Sequence, residues 1–412
     1  MGPAPLCGIS PMFDADLQHH ESRIDRLQIA ALCGLMVLGA LFVYSATMVD
    51  ESVIMKPWYS QSWVRQIIWY VLGTGAAAAL CCVDYHTVAR WSMIAYWFAV
   101  FLLVAVLFVG TVRSGARRWF DLGFFSLQPS EFAKLAFILA QAHFLSRPLE
   151  ELRAPLTFWK ALGLMLLPFI LILKEPDLGS ALVLLPTGLA MLFVAGTPRR
   201  YLVWMFASVG ILGAVFLADV LFMPPKWQIK MEDYQRRRLL VYFGTEDPPP
   251  PDASKAERAR LRRQQLDYSH NMRQALISVG SGGLTGKGWR QGTQNALGYL
   301  PRSVAHNDFI FSVIAEESGF VGSVVVLTLY GVVLFTGIRI AGQARDRLGK
   351  LMAVGVIALL FSHVFISIGM NIRIMPVTGV PLPLLSYGGS SVLGSLIAMG
   401  ILQNVHIYRK AY

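Results

Sequence analysis

Ten stretches of mostly apolar residues, each close to twenty residues long, divide this 412-residue sequence. They run at about 28–47, 64–83, 92–110, 130–146, 158–173, 179–196, 201–222, 310–338, 351–371 and 387–407. A helix rising 1.5 Å per residue needs about 20 such residues to cross the hydrocarbon core of a bilayer. Within that core every backbone amide and carbonyl must find its partner inside the protein, which leaves helices as the economical solution. The pattern predicts an all-α polytopic membrane protein of about ten transmembrane helices with one long extracytoplasmic loop. Composition agrees: hydrophobic residues are 55% of the chain and charged residues only 15%, whereas soluble domains carry roughly 25% charged residues. The fourth and eighth stretches are the weakest, because each carries ionisable residues.

The chain divides into a polar tail at 1–27, helices one to seven over 28–222, a long polar segment at 223–307, and helices eight to ten with a short tail over 308–412. The tail holds Asp14, Asp16, His19, His20 and Glu21 and shows no signal-peptide pattern, so it is expected to be retained. The formal charge is +11, from 36 Lys and Arg against 25 Asp and Glu. The positive residues sit in loops and form no basic stripe interleaved with exposed aromatics, so membrane topology and anionic lipid account for them better than nucleic acid. With the N-terminus inside, the inner segments hold thirteen: Arg23, Arg26, Arg90, Arg147, Arg153, Arg199, Arg200, Arg339, Arg345, Arg347, Lys350, Arg409 and Lys410. The short outer loops hold seven: Lys56, Arg65, Arg113, Arg117, Arg118, Lys174 and Arg373. That imbalance predicts both termini inside and the 223–307 segment outside. Cys7, Cys33, Cys81 and Cys82 suggest no disulfide or metal framework.

Polar residues at membrane depth are costly and need a reason. Around the fourth stretch, Gln128-Pro129-Ser130-Glu131-Phe132-Ala133-Lys134 starts a helix that Ser130 could cap, with Glu131 and Lys134 three apart on one face. They are either a self-neutralising pair or the lining of a cavity. Asp177, in Lys174-Glu175-Pro176-Asp177-Leu178-Gly179-Ser180, caps the next helix or serves a site. Gly282-Gly283-Leu284-Thr285-Gly286-Lys287-Gly288 could approach a phosphate closely, though its spacing is neither a P-loop nor a dinucleotide fingerprint. Asp308 stands where a polar loop meets an apolar helix, a dielectric boundary suited to proton transfer, or it caps that helix. Between Pro376 and Ser391 the prolines, glycines and hydroxyls break any continuous helix, which is tolerated near membrane depth only where the backbone is buried or lines a wet cavity. Pro248 to Pro251 form a stiff break, and Ser254 with Glu257 opens a basic helix through about Asp267. These loops all fall on the outer side and suggest one convergent extracytoplasmic site.

The motifs, in order, resemble those of the SEDS family (shape, elongation, division and sporulation), the polytopic peptidoglycan glycosyltransferases. The resemblance covers the chain from the first stretch to the last. It rests on Gly115-Ala116-Arg117-Arg118-Trp119, Gln128 to Lys134, Pro176-Asp177-Leu178-Gly179 and Tyr234-Gln235, then Ser281-Gly282-Gly283, Gly286-Lys287-Gly288 and His306 with Asp308-Phe309-Ile310-Phe311. Glu316-Glu317 and the Pro-Val-Thr-Gly to Ser-Tyr-Gly-Gly-Ser-Ser block complete it. Gly292-Thr293-Gln294 and the run from Pro376 to Ser386 read as the elongation branch rather than the division branch. The sequence departs from the family pattern at Asn307, Arg302 and Ser180, and the 248–267 insertion is atypical; Asp308 is retained.

The resemblance implies polymerisation of lipid II into β-1,4 glycan strands at the outer face of the cytoplasmic membrane. The donor would be a glycan on an undecaprenyl pyrophosphate anchor. Asp308 matches the family's essential aspartate and is expected to act as general base on the acceptor hydroxyl. Arg117, Arg118, Lys134, Arg238 and Lys287 are candidates for stabilising the departing pyrophosphate, with Glu131, Asp177, His306 and Ser386 completing the substrate site. A divalent cation, Mg or Mn, could share that charge, although no ligand constellation in the sequence specifies one. The implied partners are a class B penicillin-binding protein, which would supply crosslinking, and other elongation-complex proteins. A lipid-linked precursor flippase and a non-catalytic scaffold are the competing readings.

Overall fold

The computed structural model describes residues 24–48, 57–113, 116–121, 123, 125–222, 236, 239–240, 242–244, 254, 270–300 and 305–409. All ten predicted stretches are helices: α1 Arg26–Thr47, α2 Ser62–Cys81, α3 Ser92–Val109, α4 Pro129–Leu145, α5 Pro155–Lys174, α6 Leu178–Val194, α7 Arg199–Phe222, α8 Ile310–Gln343, α9 Arg347–Asn371 and α10 Gly389–Tyr408. Eight are long and apolar enough to cross a membrane; α4 and α6, at 17 residues each, are shorter. Aspartate side chains start several of them. Asp25 accepts from the Gln28 amide, Asp177 from Ser180 and Asp346 from Gly349, each meeting one of the orphan donors of a helix N-terminus. Ser130 does not cap α4: its buried hydroxyl has no hydrogen-bond partner, and Gln128 is the N-cap residue.

The helices α9 and α10 are mostly buried and form the centre of the bundle, whereas α7 is scarcely covered and faces outward along most of its length. The apolar core runs through α1, α4, α6, α9 and α10, with residues such as Val43, Phe137, Leu184, Val356 and Val405 fully enclosed.

The segment between α3 and α4 departs from the all-helical expectation. It forms a small antiparallel sheet, β1 Thr111–Arg113, β2 Ala116–Asp121 and β3 Ser126–Leu127, in the order β1-β2-β3. The β-branched and aromatic residues Thr111, Val112, Trp119 and Phe120 favour these strands.

Helix α8 is broken. At Gly319 the backbone turns to φ 66°, ψ −159°, so a short piece over 310–318 meets a long one over 320–343 at a kink. The break leaves the carbonyls of Glu316 and Glu317 and the amides of Phe320 and Val321 without their helical partners. The glycine-rich segment supplies all four. Lys287 N donates to Glu316 O at 3.0 Å and Gly288 N to Glu317 O at 2.9 Å, while Phe320 N donates to Gly283 O at 2.9 Å and Val321 N to Leu284 O at 3.1 Å. The approach is close: a Cβ on Gly286, itself at φ +81°, would stand 2.2 Å from Glu317 O, and one on Gly319 would stand 2.3 Å from Gly286 N. These glycines therefore serve backbone-to-backbone packing at the kink. The anion-cradle expectation for this stretch gives way to that role.

The irregular segment between α9 and α10 is buried and tied by side-chain donors. Tyr70 Oη donates to Leu384 O, Tyr330 Oη to Pro383 O, and Gln66 Nε2 to Ser386 O at 3.0 Å. A backbone stretch that lacks helical bonds is thus satisfied by α2 and α8, as burial in an apolar bundle requires.

Candidate functional site

The turn carrying Asp308 is held by three successive carbonyls. His306 O accepts from Tyr387 N at 2.9 Å, Asn307 O from Ser386 Oγ at 2.6 Å, and Asp308 O from Asn371 Nδ2 at 3.0 Å. Ser386 is buried and also accepts from Leu382 N at 2.8 Å, so its hydroxyl ties the α9–α10 segment to the Asp308 turn. The His306 ring lies 5.5 Å from that of Tyr387. Asp308 itself is half-buried.

The N-cap position of helix α8 does not fall on Asp308. Helix α8 has Phe309 as its N-cap residue and no side-chain cap. The Ser312 amide, which donates to Phe309 O at 3.0 Å, also reaches Asn371 Oδ1 at 3.2 Å, and the same oxygen accepts from Ser312 Oγ at 2.7 Å. Asn371, buried at the end of α9, therefore fixes both the start of α8 and the Asp308 turn.

Deeper in the bundle, Lys134 is 1% exposed and Glu131 4%. Lys134 Nζ donates to Glu131 Oε1 at 2.8 Å and lies 2.9 Å from His363 Nε2 on α9. Both readings of the pair meet here: the ions neutralise one another, and they also line a cavity. It is small and bordered by Glu131, Lys134, His363, Pro383, Gly394 and Ser395 among others. A buried pair of this kind repays its desolvation only when the geometry is good and further hydrogen bonds are made, which His363 supplies. His363 sits inside a predicted apolar stretch and escaped the sequence reading. The signal was a four-residue spacing: His363, Ser367 and Asn371 recur one turn apart along α9, so one side of that helix runs polar from the ion pair to the Asp308 turn.

The arginines of β2 separate. Neighbouring residues on a strand face opposite ways. Arg118 reaches the α5–α6 turn, donating from Nε to Glu175 O at 3.0 Å and from Nη2 to Pro176 O, with Asp177 Oδ1 at 3.9 Å. Arg117 is exposed and donates weakly to Phe108 O at 3.4 Å. Asp177 accepts from Ser180 N at 3.1 Å and from Gln128 Nε2 at 3.0 Å, so the cap reading is the one its geometry favours. Glu175 beside it is fully enclosed, and neither carboxylate oxygen has a hydrogen-bond partner. Burial pushes its carboxyl up to about 9, the Asp177 charge adds to the rise, and Arg118 opposes it.

Lys287 donates to Glu316 Oε1 at 2.6 Å and to Thr293 Oγ1 at 2.7 Å, and Glu316 also accepts from Gln294 N at 3.0 Å. It thereby neutralises a carboxylate that is 1% exposed. The expected single cluster of cations does not assemble among the described residues: Lys134, Arg118 and Lys287 each bind a different partner. Arg238 and Tyr234-Gln235 lie outside the described residues, as does the 248–267 insertion apart from Ser254. Among the described residues, no group of three or more His, Cys, Asp or Glu side chains is placed to hold a metal ion.

Residues 25–411 match the model of the FtsW/RodA/SpoVE family, described as cell cycle proteins. The chain belongs to that family. It is 35% identical over 387 residues to the peptidoglycan glycosyltransferase MrdB of Escherichia coli strain K12, with 94% of each chain covered. Among solved structures it is similar to a chain from a study of structural coordination of polymerization and crosslinking by a peptidoglycan synthase complex. That match has a TM-score of 0.73 and 28% identity, covering 94% of this chain and 99% of that one. It is also similar to the crystal structure of the rod shape determining protein RodA of Thermus thermophilus, with a TM-score of 0.63 and 27% identity over 94% and 98% of the two chains. The match to the FtsW/RodA/SpoVE family thus spans nearly the whole bundle, including the broken helix α8 and the segment between α9 and α10.

Proposed function

We propose that this chain is an inverting peptidoglycan glycosyltransferase that polymerises lipid II during cell elongation, with its site at the outer face of the cytoplasmic membrane. Membership of the FtsW/RodA/SpoVE family supports the reaction class, since a relative matched end to end is named a peptidoglycan glycosyltransferase. The observation that carries the site is the Asp308 turn, whose three successive carbonyls are pinned by Tyr387, Ser386 and Asn371. A clamp of that kind holds a general base in register with its substrate.

In the proposed step, the Asp308 carboxylate takes the proton from the 4-hydroxyl of the incoming lipid II. The hydroxyl oxygen bonds to the anomeric carbon of the lipid-linked glycan as the bond to undecaprenyl pyrophosphate breaks. An α-linked donor gives a β-1,4 product by a single displacement. The helical blocks 28–222 and 308–412 carry the site, and the 223–307 segment between them lies on the outer side with both termini inside. A class B penicillin-binding protein is the proposed crosslinking partner. This accords with the structural neighbour from a synthase complex that joins polymerisation to crosslinking.

The test is reconstitution of the full chain with lipid II, alone and with a class B penicillin-binding protein. The wild type is expected to give glycan polymer. Asp308→Asn is expected to lose it by at least about a hundredfold, the usual scale of a general base, with folding intact. Undiminished polymer from Asp308→Asn overturns the assignment of the base. No polymer under any condition, with lipid translocation instead, favours a flippase.

A further inference from the structure

The buried ion pair raises a question of donors. An ammonium has three N–H groups and no acceptor. Lys134 gives one to Glu131 Oε1 at 2.8 Å and approaches His363 Nε2 at 2.9 Å with a second. Because the ammonium can only donate, Nε2 must offer a lone pair, and the imidazole is then neutral with its proton on Nδ1. The Glu131 and Lys134 charges cancel, and the third N–H of Lys134 remains for an atom in the cavity bordered by Pro383, Gly394 and Ser395.

His363 stands on α9, the helix that eight residues later carries Asn371 and so holds the Asp308 turn. We infer that His363 is a positioning residue for glycan polymerisation: its neutral imidazole fixes the Lys134 ammonium so that one N–H is kept for a substrate oxygen. It acts through Lys134 and touches no reacting atom. The same helix then sets both the general base and the buried cation against one substrate. This inference rests on the reading of the chain as a glycosyltransferase for its activity arm only.

Two arms test it, both on the full chain in bilayers. In the first, polymerisation of lipid II is measured with the partner present. His363→Leu leaves a donor of a buried charged group unmet, and activity is expected to fall roughly ten- to a hundredfold. His363→Gln places an amide oxygen near the Nε2 position and is expected to recover most of the loss. A glutamine variant as damaged as the leucine variant at equal folded fraction overturns the proposal. In the second arm, nitrogen NMR of 15N-histidine-labelled chain is compared between wild type and His363→Gln, and the signal that disappears belongs to His363. It should report a neutral ring protonated at Nδ1 and should move in Lys134→Met. An imidazolium, a ring protonated at Nε2, or a signal indifferent to Lys134→Met overturns the proposal even where His363→Leu fails to fold. Should the wild type make no polymer, the glycosyltransferase reading fails, while the NMR arm still decides the contact.

Discussion

At one end of the bundle the helices are joined by short turns and pinned by side-chain pairs. Asp25 caps α1 and pairs with Arg339 of α8, and Gln403 of α10 bonds both to Asp25 and to Gln28 at 2.6 Å. Tyr85 Oη donates to Asp346 Oδ1 at 2.6 Å, and Arg347 donates to Ala195 O at 2.8 Å. At the other end the chain is irregular, and side chains reach chiefly for the backbone of its loops. Arg118 holds two carbonyls, Tyr70 and Tyr330 hold two more, and Ser386 and Asn371 hold the turn of Asp308. The first arrangement locks helices to one another. The second freezes backbone that has no helix or sheet of its own, which is what a site built from loops at membrane depth requires.

The largest effect that would test this contrast falls on the kink. Gly286→Val or Gly319→Val drives a side chain into backbone at about van der Waals overlap distance and forces a residue to a left-handed φ. Each is expected to destabilise by more than about 4 kcal/mol and to yield little folded protein in detergent. A folded, active Gly319→Val chain would mean that the two halves of α8 do not depend on the glycine-rich segment.

The next separates the two ends by what they affect. Asn371→Ala removes the acceptor of Ser312 and the donor to Asp308 O, at a cost of about 2–3 kcal/mol, and polymerisation per folded molecule is expected to fall with it. Asp25→Ala removes a cap and the partner of Arg339 at the opposite end, for at least about 1 kcal/mol, and activity per folded molecule is expected to stay unchanged. Thermal unfolding paired with lipid II turnover checks both. Equal losses of activity would erase the distinction.

The last effect emerges only as pH rises and concerns Glu175. Burial, with the Asp177 charge beside it, pushes its carboxyl up to about 9, above the usual carboxylate range. A raised acid is worth most to the fold below its unfolded value of roughly 4.5, and that contribution is lost as pH climbs towards 9. Glu175→Gln should flatten this slope and raise the melting temperature at pH 9 relative to wild type, with little change at pH 5. A variant whose melting curve tracks wild type at every pH would show that Glu175 is not held neutral.

Much of the architecture was legible because hydrophobic length is a coarse and robust signal. All ten stretches fold as helices, and the block from Pro376 to Gly388 is non-helical and largely buried as its prolines and glycines demand, with α10 beginning at Gly389. What escaped the sequence depended on partners distant in the chain. Nothing near Gly282-Gly283 says that its backbone will meet Gly319, thirty-odd residues on. Arg117 and Arg118 read alike until the strand sends them to opposite faces. Ser130 looked like a cap beside Pro129, but the cap position fell two residues earlier. His363 was masked by its apolar surroundings, although its spacing to Ser367 and Asn371 was visible. The sheet in the 110–128 segment was likewise readable from its β-branched and aromatic residues.

Helix α9 has a consequence beyond its contacts. His363 and Asn371 are separated by eight residues, about 12 Å of rise and, at 3.6 residues per turn, roughly 80° beyond two full turns. The ion pair and the Asp308 turn are therefore locked in angular phase as well as in height. A single residue inserted between them would lengthen the spacing by only about 1.5 Å yet swing Asn371 by about 100°. The tolerance of this helix to length change is set by rotation, and an elongating or shrinking chain could not drift gradually through it.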